Sequence, residues 1–165
     1  DNMPLTKLNS ASVIERLPTG SVLQTVQFSS TFAHEISSTN YTKYTGTWTD
    51  VLGSSVPSPT ITCSSASNKV LILCELESRP WENNSHNCTQ YQRIYRGTTA
   101  ISRITTTRAY DYGGSGTLLH VSSVINHIDI PNSTNALTYE LYFAKGTADR
   151  ATILSASMTL QEIKG

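Results

Sequence analysis

The groups best able to do chemistry in this 165-residue chain are four histidines, three cysteines and twelve carboxylates. Ser85-His86-Asn87-Cys88 sets a thiol beside an imidazole. A nucleophilic cysteine needs its base placed in space and an oxyanion hole, and adjacency in sequence supplies neither. Loop composition accounts for that cluster. His120 and His127 lie seven residues apart on one apparent strand, so they point to opposite faces and cannot share a metal without a bulge. Neither Ser122 nor Asp129 completes a triad with them. Asn126, Asp129 and Asn132 offer oxygens, but not at the spacing of a calcium loop. Cys63, Cys74 and Cys88 show no CxxC or Cys/His spacing for zinc and read as buried thiols. Cys63 and Cys74 flank an apparent hairpin and could also face each other, which only the distance between their Cα atoms decides. The expectation is a non-enzymatic chain with no metal and no cofactor.

Two loops suit recognition better than catalysis. Arg108-Ala-Tyr110-Asp111-Tyr112-Gly-Gly-Ser-Gly116 combines aromatic faces, a carboxylate and a glycine run. Arg79-Pro-Trp81-Glu-Asn-Asn84 adds another aromatic, a carboxylate and two amides. Aromatic rings that stack on sugars beside Arg and Asp partners would make a glycan or receptor contact from Trp81, Arg108, Tyr110, Asp111 and Tyr112. The plainer reading is an exposed hairpin tip and ordinary turn chemistry. Four Asn-x-Ser/Thr sequons, at Asn40, Asn83, Asn87 and Asn132, decide nothing about glycosylation in a chain so rich in Asn, Ser and Thr.

Composition narrows the class of partner. Twelve basic and twelve acidic residues leave zero net charge, so no nucleic-acid footprint is expected. Polarity comes instead from 45 Ser and Thr residues, with charged residues at only 15%. Thr suits half-buried pleated surface, and Ser suits turns. The acidic run Glu75, Glu77, Glu82 and the basic run Arg93, Arg96, Arg103, Arg108 read as neighbouring strands that exchange ion pairs. No apolar run approaches the ~18 residues of a membrane span, so no membrane partner is expected. The chain begins at Asp1 rather than Met, which reads as processing or as part of something longer.

The elements that must position these groups are strands. Residues 1–19 stand apart as an arm: Leu5, Leu8, Val13, Ile14 and Leu17 are apolar but too irregular for a long amphipathic helix. Ser12-Val-Ile-Glu15 fits one capped turn before Pro18. The arm is expected to lie against the body or a neighbouring subunit. From Gly20 the pattern is strand, turn, strand. Strands are expected at 21–28 and 39–48, in a hairpin of 57–63 with 69–77, and at 89–96 and 100–107. Three more are expected at 118–130, 137–144 and 151–163. In Val70-Leu-Ile-Leu-Cys74 every residue is apolar, which marks a strand covered on both faces. Leu71, Leu73, Leu141 and Phe143 are the expected core. Leu137, Tyr139, Leu141 and Phe143 alternate with Thr138, Glu140, Tyr142 and Ala144, one face dry and one wet. This strand count without a convincing helix predicts an all-β, antiparallel sandwich of jelly-roll type over residues 20–165.

Several stretches resemble a group of short structural proteins of tailed phages, marine and cyanobacterial ones especially. Gly20-Ser-Val-Leu-Gln24 resembles the group's opening, and Ile61-Thr-Cys-Ser-Ser65 leading into Lys69-Val-Leu-Ile-Leu73 is similar to its central hairpin. Arg93-Ile-Tyr-Arg-Gly97-Thr-Thr-Ala-Ile101 resembles its strand and turn of arginine, apolar, arginine-glycine, Ser/Thr, Ala-Ile. Leu137-Thr-Tyr-Glu-Leu141 and the end at Ile163-Lys-Gly165 resemble its last two strands. The resemblance runs from about Gly20 to the C-terminus and departs at 81–88 and 110–116. It implies a jelly-roll-like fold, a place on the virion surface and homotrimers, and it carries no catalytic residues. Asn2-Met-Pro-Leu-Thr-Lys-Leu8 looks like linkers that join segments of phage fibres. The expectation is therefore a trimeric β knob contacting other virion proteins, as capsid decoration or as a fibre knob that meets a host surface glycan. The alternative is a carbohydrate-binding, lectin-like module.

Overall fold

The computed structural model describes residues 17–82, 87–110, 117–118 and 120–165, and among these there is no helix. Along the chain the strands are β1 (Val22–Ser30), β2 (His34–Ile36), β3 (Thr42–Lys43), β4 (Trp48–Asp50) and β5 (Ser55–Val56). Next come β6 (Thr60–Thr62), β7 (Lys69–Ser78), β8 (Trp81–Glu82), β9 (Asn87–Arg96) and β10 (Thr99–Ala100). The last five are β11 (Thr105–Tyr110), β12 (Thr117–Leu118), β13 (Val121–Asp129), β14 (Ala136–Lys145) and β15 (Ala151–Ile163).

One antiparallel sheet has the order β13-β7-β15-β1-β4-β5, with β2 also on β15. In the other, β9 and β14 lie side by side at the centre. β10 and β11 follow one another along the far edge of β9, and β3 and β6 along the far edge of β14. Take β1, β3, β7, β9, β11, β13, β14 and β15 as strands one to eight. The first sheet then reads 6-3-8-1 and the second 5-4-7-2. Every connection but the one from four to five crosses between sheets. That strand order is a jelly roll, which agrees with the expected fold class.

Alternation along each long strand builds the core between the sheets. Val70, Ile72, Cys74 and Leu76 of β7 join Leu137, Tyr139, Leu141 and Phe143 of β14 in one cluster, with Met158 and Leu160 of β15 beside the first and Ile94 of β9 beside the second, and all are buried. Leu141 and Phe143 are core as expected, but Leu71 and Leu73 are not. They lie on the outer face of β7 and are only half-buried. A five-residue apolar run has no internal alternation, so it fixes no facing. The flanking Lys69 and Glu75, both exposed, share parity with Leu71 and Leu73 and carried the signal.

The apparent hairpin of 57–63 with 69–77 does not form. β6 pairs with β14 while β7 joins the other sheet, so this turn carries the chain across the sandwich. The same crossing separates the charge runs. Glu75 and Glu77 sit in one sheet and Arg93 and Arg96 in the other, so they do not form neighbouring-strand pairs. Arg96 bonds Asp129 instead, at 2.6 Å. The strand expected over 39–48 is split into β3 and β4. Between β9 and β10, Arg96 pairs with Thr99 and leaves a two-residue turn. Gly97 there has φ 56°, a left-handed conformation that favours glycine.

Part of the interior is polar. Gln90 and Gln92 are fully buried on β9. Gln92 Nε2 donates to Thr107 Oγ1 at 2.9 Å, and Gln90 Oε1 accepts from the Thr152 amide at 3.0 Å. Gln90 Nε2 and Gln92 Oε1 have no partner among the described residues.

Candidate functional site

Two surfaces carry the groups singled out from the sequence. The first is the end of the sandwich where β7 runs into β8 and β9 begins. Trp81 opens β8 and pairs with Leu118 of β12, while Tyr110 at the end of β11 pairs with Asn87 at the start of β9. Pairing therefore brings the Trp81 and Arg108–Tyr110 segments to one end. Tyr110 and Arg108 are exposed. Trp81 is half-buried, and the Arg150 guanidinium lies over its ring, 5.3 Å from the centroid. That face of the indole is engaged by a cation. Asp111 and Tyr112 lie outside the described residues, as do Leu5, Leu8, Val13 and Ile14 of the arm. Leu17 is described: it is half-buried, and its carbonyl accepts a hydrogen bond from Lys164 Nζ.

The second surface is the outer face of the β13-β7-β15-β1 sheet. Register sets Ser29, Ser157, Glu75 and Val124 in one row across four strands, with Ser155, Glu77 and Ser122 in the next. Small side chains leave a shallow depression of about 460 Å³ there, floored by hydroxyls and edged by two carboxylates. His120 Nδ1 lies 2.9 Å from Glu77 Oε1. Among the described residues no hydroxyl is bonded to the other ring nitrogen, so this pair is an acid–base couple without a positioned nucleophile. Such a face can hydrogen-bond a polar surface. Asp129, weighed above as an oxygen donor, is buried and bonded to Arg96 and to the Tyr139 hydroxyl. Among the described residues no cluster of His, Cys, Asp and Glu is arranged to hold a metal.

Cys63, Cys74 and Cys88 are all buried. Burial pushes the Cys74 thiol up to about 12 and those of Cys63 and Cys88 up to about 11, with nearby carboxylates adding to the effect. Thiols so held are poor nucleophiles at neutral pH.

One polar site was missed in the sequence. Glu162 is buried on β15 and accepts from the Ser64 amide at 2.6 Å, Ser64 Oγ at 2.7 Å, Asn68 Nδ2 at 2.6 Å and Gln24 Nε2 at 2.8 Å. Burial raises its carboxyl, but these donors outweigh burial and hold it below its usual value. It anchors the turn that crosses between the sheets. Its alternation with Ala156, Met158 and Leu160 puts Glu162 on the inward face, but nothing local shows that Ser64, Asn68 and Gln24 will supply its donors.

No family model matches the chain, and no curated protein matches it. Among solved structures, the chain is similar to one in "Structure of infectious bursal disease virus Gt strain". Identity is 13% and the TM-score 0.37, over 88% of this chain and 38% of that one. The chain thus spans under half the length of that viral chain. A likeness at that level bears neither on the fold nor on function, and the jelly roll rests on the strand order above.

Proposed function

We propose that this chain is a non-enzymatic structural protein on the exterior of a tailed-phage particle, built from identical copies that expose a rigid β body. The observation that supports it most is a jelly-roll sandwich whose β13-β7-β15-β1 sheet carries rows of serine and threonine on its outer face, with exposed Val124, Ile128 and Ile130 along one margin. Such a body can pack beside copies of itself and still present a wet surface. The sequence resemblance to phage structural proteins points the same way. A three-fold unit, with residues 1–19 reaching a neighbour or the particle, is the assembly this reading takes from that resemblance. Repetition on a particle makes weak contacts additive, so affinity per copy can be low. Capsid decoration and fibre knob both satisfy it.

The test is location. Purified particles labelled with antibody against the full chain should bind it on the outside, and the chain should co-sediment with them. A chain that stays in the soluble fraction and is missing from particles would overturn this reading.

The clustering of Trp81, Arg108 and Tyr110 at one end favours a second reading, a carbohydrate-binding module or a host-glycan contact within the first. Glycan-array binding lost on Trp81→Ala or Tyr112→Ala would support it. Binding that is absent, or indifferent to both changes, would remove it.

A further inference from the structure

β13 is the edge strand of its sheet, and its guards are few: Asp129 is an inward-pointing charge near its end, and β11 of the other sheet packs near it. Among the described residues it pairs with β7 alone, along nine residues, so its other edge offers a row of unpaired backbone groups. Natural edge strands are blunted by lysine, proline, a bulge or brevity. β13 is nine residues long, its register with β7 is unbroken, and it contains neither Lys nor Pro. Its outward side chains are Ser122, Val124, Asn126 and Ile128, none of them charged, and Ile130 follows on the same face just past its end. Val124 is 57% exposed, and Ile128 and Ile130 are each 56% exposed. Leu71 and Leu73 lie beside them on β7, opposite Ile128 and Asn126, and widen the stripe. The neighbouring strands show Thr159, Ser157 and Ser29 beside this stripe on the same face, and apolar side chains return only at their far end, at Ile163 and Val22.

We infer that β13 pairs antiparallel with β13 of a second copy of this chain, across a two-fold axis at Asn126. Self-complementarity selects a second copy as the occupant. The one formal charge within β13, Asp129, is already held by Arg96, so two such edges meet without like-charge repulsion. With Asn126 on the axis, Val124 of each copy faces Ile128 of the other, and Ser122 faces Ile130. Val124 and Ile128, the apolar side chains nearest the axis, thus meet one another, while Ile130 lies over Ser122. The sheets join into one continuous sheet, and the exposed stripe becomes its centre. The inference takes only the self-assembling partner from the function proposed above. It adds a two-fold contact that is separate from any three-fold one.

The experiment is sedimentation of the full chain at tens of micromolar, beside a Val124→Lys/Ile128→Lys double variant. Both positions are exposed, so the variant should keep its circular dichroism and melting temperature. Its assembly mass should halve, from dimer to monomer or from hexamer to trimer. A second arm uses Asn126→Cys. In the stated register the two sulfurs meet at about the 5.5 Å Cα separation a disulfide needs, so oxidation should give a covalent dimer. Ser29→Cys, three strands away, should not. A monomeric wild-type chain, or a mass unchanged by the double variant, would overturn the inference. A trimer indifferent to these changes would do so while leaving the structural role standing. A β13-linked dimer absent from particles would do the reverse.

Discussion

The Tyr139 hydroxyl donates to Asp129 Oδ2 at 2.8 Å, joining β14 of one sheet to β13 of the other inside the sandwich. Arg96, the cross-strand neighbour of Tyr139 on β9, bonds the same oxygen at 2.6 Å. Burial raises the Tyr139 pKa, and the bond to Asp129 raises it further, so the phenol stays a donor throughout the physiological range. The three side chains clamp the two sheets together.

Removing the acceptor should therefore weaken the fold. Asp129→Ala leaves a buried phenol unsatisfied and Arg96 without its counter-charge. Because Arg96 is partly exposed, the cost should fall near the low end for a broken buried pair, about 2–4 kcal/mol. Urea unfolding would measure it, and a change under about 0.5 kcal/mol would show that the clamp contributes nothing.

Glu162 should govern part of the acid stability. Its folded-state pKa is lowered from 4.5, because bonds from Asn68, Ser64 and Gln24 outweigh burial. A lowered carboxylate contributes stability that is complete above the unfolded value and is lost as pH falls through the folded one. The unfolding free energy should drop below about pH 4.5, and Glu162→Gln should flatten that limb while costing about 1–3 kcal/mol at pH 7. Acid limbs that coincide for the two proteins would refute this.

Facing predicts opposite outcomes for two leucines. Leu141→Ala should cost about 2–5 kcal/mol, since the side chain lies in the core. Leu71→Ala should cost less, under about 2 kcal/mol, because its side chain lies on the outer face and already keeps part of its surface in solvent. Equal losses in thermal unfolding would mean that β7 faces the other way.

The cysteines should be silent in the native chain. At pH 8 a thiol reagent should label none of the three quickly, and all three after unfolding in urea. Rapid native labelling of any one would contradict its burial.

Much of the fold was legible in the sequence because antiparallel strands with one wet face must alternate. Leu137 to Phe143 shows that alternation, and its facing followed directly. The absence of helical periodicity and the strand count gave the sandwich. The glycan candidates were legible as residue types, and strand pairing then brought Trp81, Arg108 and Tyr110 to one end. What the sequence left open are matters of partner choice. Nothing local distinguishes a turn that closes a hairpin from one that crosses to the other sheet, so 57–77 read as a hairpin. The apolar run at 70–74 carries no phase of its own. Glu162, and Asp129 with Tyr139, become sites only because distant strands deliver their donors. The bare edge of β13 exists only once the sheet order is known. Local pattern determined which segments are strands and, where it alternates, which way they face. Non-local pairing decided which strands meet, because that depends on how apolar surface is shared across the whole chain.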